Sequence, residues 1–227
     1  ARAAAAGNAE RLVASALAVL TDEARPIVVF IHGEQTRWVG QAGVMTALLD
    51  RLARAGIDHA EWACVLEPDP PSLVELDPSG ARPVVHVVIS PDSTATARPG
   101  DAGGRSGTER AVRVGEVVAD LVARGEPVLV NLAPSVFPTF GDDDPIAAPL
   151  APLGIRAASG TPILSTDAAD PARRLARPGI RVVPGGAGDG GHPISRAIAG
   201  LPLALEWPIP LALGEAADPL LDAEADP

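Results

Sequence analysis

The 227-residue sequence contains no lysine, no tyrosine and a single cysteine, Cys64. Without lysine there is no Gly-x-x-x-x-Gly-Lys phosphate loop, so ATP hydrolysis by that device is excluded for this chain. A lone cysteine excludes an internal disulfide and a cysteine-based structural zinc site, and it leaves the redox compartment undecided. Long apolar runs are missing too. Hydrophobic residues make up 47% and the mean hydropathy is +0.19, but the excess is Ala, Val and Leu in short stretches. None approaches the roughly 18 to 20 apolar residues of a membrane span. Residues 1–6 carry Arg2 and lead into an amphipathic segment, not into the apolar centre of a secretory leader. The first residue is Ala1 and not Met, from which we expect a piece of a longer protein, with any membrane anchor outside this chain.

What is present is acidic. All 18 basic residues are arginine and stand against 29 acidic ones, for a net charge of -11. Nucleic acid is argued against, because its binding rests on neutralising phosphates with a basic patch. Anionic membrane surfaces are disfavoured for the same reason. The abundance of Ala, Gly, Pro and Arg reads as the codon bias of a GC-rich genome.

The chain is organised around PIVVFIHGEQTRWVG, Pro26 to Gly40. An apolar run, Ile27 to Ile31, breaks at His-Gly-Glu, which predicts a buried parallel strand delivering its loop to a sheet edge. Before it, Ala9 to Leu20 places Leu12, Val13, Leu17 and Leu20 on one helical face. After it, Val39 to Ala55 reads as a helix with Val44, Leu48, Leu49 and Leu52 on one face and Gly56 as its stop. Further strands are expected at Ile57 to Leu66, at Pro83 to Ile89 (buried on both faces apart from His86) and at Pro127 to Leu132. A Pro- and Asp-rich loop, Glu67 to Pro83, allows one helical turn at Ser72 to Leu76.

Ser90 to Gly107 is a long loop with little to bury. Ser106-Gly-Thr-Glu109 is a capping box opening a helix that presents Val114, Val117, Val118, Leu121 and Val122 and stops at Gly125. Asp144-Pro145 starts a short helix that ends at Gly154. Beyond it, Thr161 to Leu164, Ile180 to Val183 and Leu203 to Trp207 are strand candidates that extend the sheet or pair with one another, with a helix at Pro193 to Ala199. This alternation is that of an α/β fold with a mostly parallel sheet. Residues 1–25 are read as a helix and linker, 26–213 as one α/β domain, and 214–227 as an acidic tail.

Candidate ligand-binding residues sit where open α/β folds bind, at the carboxyl ends of strands. They are His32, Gly33, Glu34 and Trp38 after the first strand, Asp92 after the third, Asn131 at the end of the fourth, and His192 before a later helix. His32, Glu34, Asp92 and His192 have the donor types of a zinc site; the plainer reading makes Glu34 a helix cap and His192 a turn residue. Trp38 is a candidate contact for a sugar or peptide, against a role as core anchor. Cys64, in EWACVLEPD, lacks the flanking glycines of a nucleophile elbow and reads as a small buried hydrophobe. Gly186 to Gly191 fits Gly-x-Gly-x-x-Gly, but without a surrounding βαβ unit it reads as a turn. Asp142-Asp-Asp144 lacks the alternating ligands of a calcium loop and reads as a solvated loop with Asp144 as cap. No catalytic residue, metal or cofactor is assigned.

Several segments recur in order: a helix ending in Leu-Thr with a charged linker before the first strand, then ARGEPVLVNLAP, DPIAAPLAPLGI and GHPISRAIAGLPLALEWPIPL. In order and spacing, over about Glu10 to Leu213, the chain resembles the soluble domain of gliding-motility-type (GldG-like) auxiliary proteins of ABC transporters. The first turn here is Ile-His-Gly-Glu where that family tends to have Gly-His-Gly-Glu, and the Ser90 to Gly107 loop is longer. The resemblance implies a flavodoxin-like three-layer sandwich of the class I glutamine amidotransferase type and a non-catalytic binding role. It further implies an extracytoplasmic (periplasmic) location, attachment to the membrane through segments outside this chain, and permease and ATP-binding subunits as partners. The alternatives are a sugar- or peptide-binding sensor domain and a degenerate amidotransferase or hydrolase relative.

Overall fold

The computed structural model describes residues 25–40, 43–96, 104–165, 177–178, 180–182, 203–205 and 208–214. The chain divides into two compact units, Ala1–Pro91 with Thr96–Asn131, and Asp92–Ala95 with Leu132–Pro227. The helix expected at Ala9 to Leu20, the Gly186 to Gly191 run, His192, the helix at Pro193 to Ala199, Trp207 and the tail after Gly214 lie outside the described residues.

The first unit is built on four parallel strands, β1 (Ile27–His32), β2 (Asp58–Ala63), β3 (Val84–Ile89) and β4 (Val128–Asn131), in the order β2-β1-β3-β4. Helices α1 (Gly43–Arg54) and α2 (Gly107–Ala123) flank the sheet, which makes the unit α/β. The apolar run of β1 has its physical cause in this position: it pairs on both edges, and every residue but Val28 is buried. The order reverses between β1 and β3, whose following connections leave in opposite directions, and the carboxyl ends of strands at such a reversal are where open α/β sheets bind ligands. Across that edge the register aligns Ala63, His32, Ile89 and Asn131.

Helix α2 follows its local code. Ser106 Oγ accepts from the Glu109 N–H at 3.2 Å, and Glu109 Oε2 accepts from the Ser106 N–H at 2.7 Å. The Ser106 donors hold the Glu109 carboxyl below its usual range. Val114, Val117, Val118 and Leu121 form the buried stripe, and the chain leaves the helix at Gly125 with φ +69°. At the opposite edge of the sheet, the Arg82 guanidinium donates to Asp58 Oδ2 at 2.6 Å, the Arg25 carbonyl at 2.9 Å and the Leu76 carbonyl at 3.1 Å. That clamp ties the β2–β3 connection to the start of the sheet.

Several expectations need correction. Helix α1 begins at Gly43 and not at Val39, because the N–H groups of Trp38 and Val39 are held by a side chain of β2, described below, and the backbone there is a turn. Leu48 is exposed, 41% accessible, whereas Leu49 and Leu52 are half-buried. Strand β3 is not buried on both faces: only Val88 is fully enclosed. Its outer neighbour β4 has four residues that alternate half-buried and exposed, so cover over the sheet thins on that side.

In the second unit the regular alternation gives way to short pieces. Residues Phe137–Phe140 and Ala148–Leu153 are 3₁₀ segments. The short helix expected after Asp144 and ending at Gly154 is 3₁₀ in form and not α, and it begins at Ala148. Pro149 and Pro152 remove two of the amide donors that an α ladder needs. Asp144 does cap the turn, its Oδ1 accepting from the Ile146 N–H at 2.9 Å, and Gly154, at φ +80°, ends the segment. The later strands pair with one another, antiparallel: β5 (Ile155–Ala157) with β10 (Leu211–Leu213), β6 (Leu164–Ser165) with β7 (Arg177–Pro178), and β8 (Ile180–Val182) with β9 (Leu203–Leu205). Among the described residues no helix is long and apolar enough to cross a membrane.

Candidate functional site

The His-Gly-Glu turn after β1 is held by two partners that lie far away in the sequence. His32 is 1% exposed, and its Nδ1 accepts from the Glu34 N–H at 3.1 Å. Nε2 therefore carries the proton and donates to Glu61 Oε1 on β2, at 2.9 Å. The same carboxylate oxygen accepts from the Trp38 N–H at 2.6 Å and the Val39 N–H at 3.0 Å. One acceptor thus collects three donors and folds the loop back over β2. Burial pushes the Glu61 carboxyl up, but the Val39 and Trp38 amides and the His32 ring outweigh it and leave the group below its usual range.

Gly33 lies against α2. A Cβ there would meet Val114 Cγ2 at 3.1 Å, Arg110 Cβ at 3.2 Å and the Arg110 carbonyl at 3.3 Å, so any larger residue would push these neighbours back by a few tenths of an ångström. Glu34 follows, with its carboxylate 2.7 Å from Arg110 Nη1 and its side chain 41% exposed. It is an ion-pair partner of α2 and not a cap of α1. Arg110 is 7% exposed, and its Nε has no partner. The Trp38 indole packs at 5.5 Å from the His32 ring, and its Nε1 is also buried without a partner.

His32, Gly33, Glu34 and Trp38 are therefore brought together. Asn131 ends β4 in the same edge row, exposed, with its carbonyl accepting from Ser90 Oγ at 2.6 Å. Asp92 belongs to the second compact unit, where its Oδ1 accepts from the Thr94 N–H at 2.9 Å and the Thr94 hydroxyl at 2.6 Å. His192 lies outside the described residues. Among the described residues no group of three or more His, Cys, Asp or Glu is placed to hold a metal ion, and both nitrogens of His32 are already engaged.

Two residues of the site went unread in the sequence. Glu61 carried a signal, a carboxylate among Ala60, Trp62 and Ala63 on a strand. Arg110 carried another, since it occupies the position four before Val114 on the buried stripe of α2. Cys64 is buried, donates its thiol to the His32 carbonyl at 3.3 Å, and is pushed up to about 11 by burial. A thiol in that state is a poor nucleophile. His86 on β3 is kept below its usual range by burial.

No protein-family model, curated protein or solved structure matches the chain.

Proposed function

We propose that this chain is a non-catalytic binding domain with the flavodoxin-like, class I glutamine amidotransferase-like fold, the soluble extracytoplasmic part of a gliding-motility-type ABC-transport auxiliary protein. Its partners in this reading are the permease and ATP-binding subunits, with the loops at the carboxyl ends of the first unit's strands as the contact surface. The strand order β2-β1-β3-β4 supports the flavodoxin-like assignment, since that fold reverses its order at the same place. The transport assignment rests on the ordered sequence resemblance.

The observation that carries the non-catalytic reading is the state of His32. A general base needs a free lone pair within reach of a substrate proton. Here Nδ1 accepts from a backbone amide, Nε2 donates to Glu61, and the ring is sealed from solvent. The pair resembles a His-carboxylate dyad in composition, but its hydrogen bonds brace a loop. Cys64, the nucleophile an amidotransferase relative would need, is sealed in the same layer. The test is affinity purification of the native protein from gently solubilised membranes of its own host. Recovery with an ATP-binding subunit and a permease supports the reading, and recovery without either refutes it.

A second reading is favoured by one observation. Trp38 Nε1 and Arg110 Nε are buried donors without partners on either side of the turn, and a sugar or peptide carrying acceptors would satisfy them. Thermal-shift screening tests this, because a ligand that binds only the folded state raises its melting temperature. A flat response across sugars and short peptides removes this reading.

A further inference from the structure

The second unit holds a cleft of about 540 Å³ between the acidic turn 142–144, the 3₁₀ segment Ala148–Leu153 and the stretch from β5 to Thr161. Most of its wall is short and apolar, formed by alanines of the 3₁₀ segment and β5 together with Ile155 and Pro138. Set into that wall is Ser159, 1% exposed, whose Oγ has no hydrogen-bond partner. The residue is pinned by its main chain, its carbonyl accepting from the Ser135 N–H at 2.9 Å. Its neighbour Gly160 closes on Pro138 so tightly that a Cβ would come within 2.8 Å of the proline ring. A buried hydroxyl without a partner is costly and uncommon in a native fold. A bound donor would satisfy it.

The charges of the cleft say what kind of donor fits. Asp142, Asp143 and Asp144 line it against a single guanidinium, Arg156. Asp142 and Asp143 are exposed and make no side-chain ion pair among the described residues, whereas Asp144 Oδ1 is engaged with the Ile146 and Ala147 amides at 2.9 and 3.3 Å. This surplus of carboxylate disfavours phosphates and other anions. A metal ion lacks the ligand cluster it would need among the described residues. A quaternary ammonium wants an aromatic cage, and no aromatic residue lines this cleft.

We propose that the cleft binds a primary ammonium or guanidinium group carried on an aliphatic stem. The charged head sits against Asp142 and Asp143, an N–H donates to Ser159 Oγ, and the stem lies on the alanine wall. Two sources supply that chemistry, a free polyamine and a Lys or Arg side chain of a partner protein. This site is separate from the β1 turn and does not depend on the transport reading.

The experiment is calorimetric titration of the full chain at low salt with 1,5-diaminopentane, agmatine, and capped peptides containing one Lys or one Arg. Tetramethylammonium is the control. Saturable binding of the diamine or agmatine but not of tetramethylammonium is expected, weakened about tenfold or more in Asp142→Asn/Asp143→Asn by loss of charge-assisted contacts. Ser159→Ala is expected to weaken binding several-fold while the unliganded melting temperature stays the same or rises, since an unpaired hydroxyl has been removed. Tighter binding of the peptides than of the free amines assigns the head group to a partner side chain, and the reverse assigns it to a free polyamine. No binding up to about 10 mM, equal binding of tetramethylammonium, or binding unchanged in the double variant overturns the proposal.

Discussion

Glu61 is the residue whose loss the structure makes most legible. Its Oε1 accepts from the His32 ring and from the Trp38 and Val39 amides, and its side chain is 15% exposed. Truncation in Glu61→Ala leaves three donors without their acceptor. A buried donor left unsatisfied costs about 1–3 kcal/mol. Three would come to ~3–9 kcal/mol, and because the exposed side of the carboxylate lets water replace part of it, we expect ~3–5 kcal/mol. Glu61→Gln keeps an acceptor oxygen but removes its charge. Charge-assisted hydrogen bonds are roughly twice as strong as neutral ones, so a loss of ~1–2 kcal/mol is expected.

The two variants also differ from wild type in pH dependence, and the sign is fixed by the direction of the Glu61 shift. Its folded-state pKa is depressed. The stability it contributes is therefore fully present above its unfolded value, about 4.3, and is lost as pH falls through the lower folded value. Asp77 and Glu109 are depressed as well, the first by the Ser79 hydroxyl and the second by the Ser106 amide, so part of the acid slope survives in any Glu61 variant. Urea unfolding followed by tryptophan fluorescence between pH 3 and pH 7 measures both effects. The Glu61→Gln curve should run closer to wild type at the acid end than at pH 7. A Glu61→Ala protein as stable as wild type at pH 7, or a Glu61→Gln curve parallel to wild type throughout, would refute the reasoning.

Other outcomes follow from the same unit. Gly33→Ala pushes a methyl group against the Arg110 carbonyl and the Val114 side chain, and it should cost ~1–3 kcal/mol in urea unfolding by overpacking. Ser106→Ala removes the capping-box acceptor of α2 and should cost about 1 kcal/mol. Cys64, with its pKa near 11 and its side chain enclosed, should react with a disulfide reagent at pH 8 at least about a thousandfold more slowly in the folded protein than in urea. Labelling at the free-thiol rate would mean that the layer beneath His32 is open.

How much of the fold and the site is legible in the sequence depends on the range of each signal. The β1 run, the Ser106–Glu109 box and the stops at Gly56, Gly125 and Gly154 are local codes, so they could be read directly. The brace was not local: His32 and Glu61 are 29 positions apart and meet only because β1 and β2 pair in one register. Periodicity likewise presents Arg110 as an interruption of the α2 stripe, and only the turn above it shows that its charge has a partner in Glu34. Strands β5 and β10 are three residues each and pair across more than fifty positions, too short for alternation to mark them. Ser159 gave no signal in AASGT, because what singles it out is the lack of a partner in a packed wall.

The central claim, that this is a non-catalytic accessory domain of a transport system, is tested most directly by its company in the membrane. The native protein should be purified from its own host in mild detergent and its stoichiometric companions identified by mass spectrometry, with a Glu34→Ala/Trp38→Ala variant alongside. The account predicts an ATP-binding subunit and a permease with the wild-type protein, and at least about a tenfold loss of both when these two half-buried side chains of the β1 turn are removed. Wild-type protein recovered at matched expression with neither subunit would contradict it.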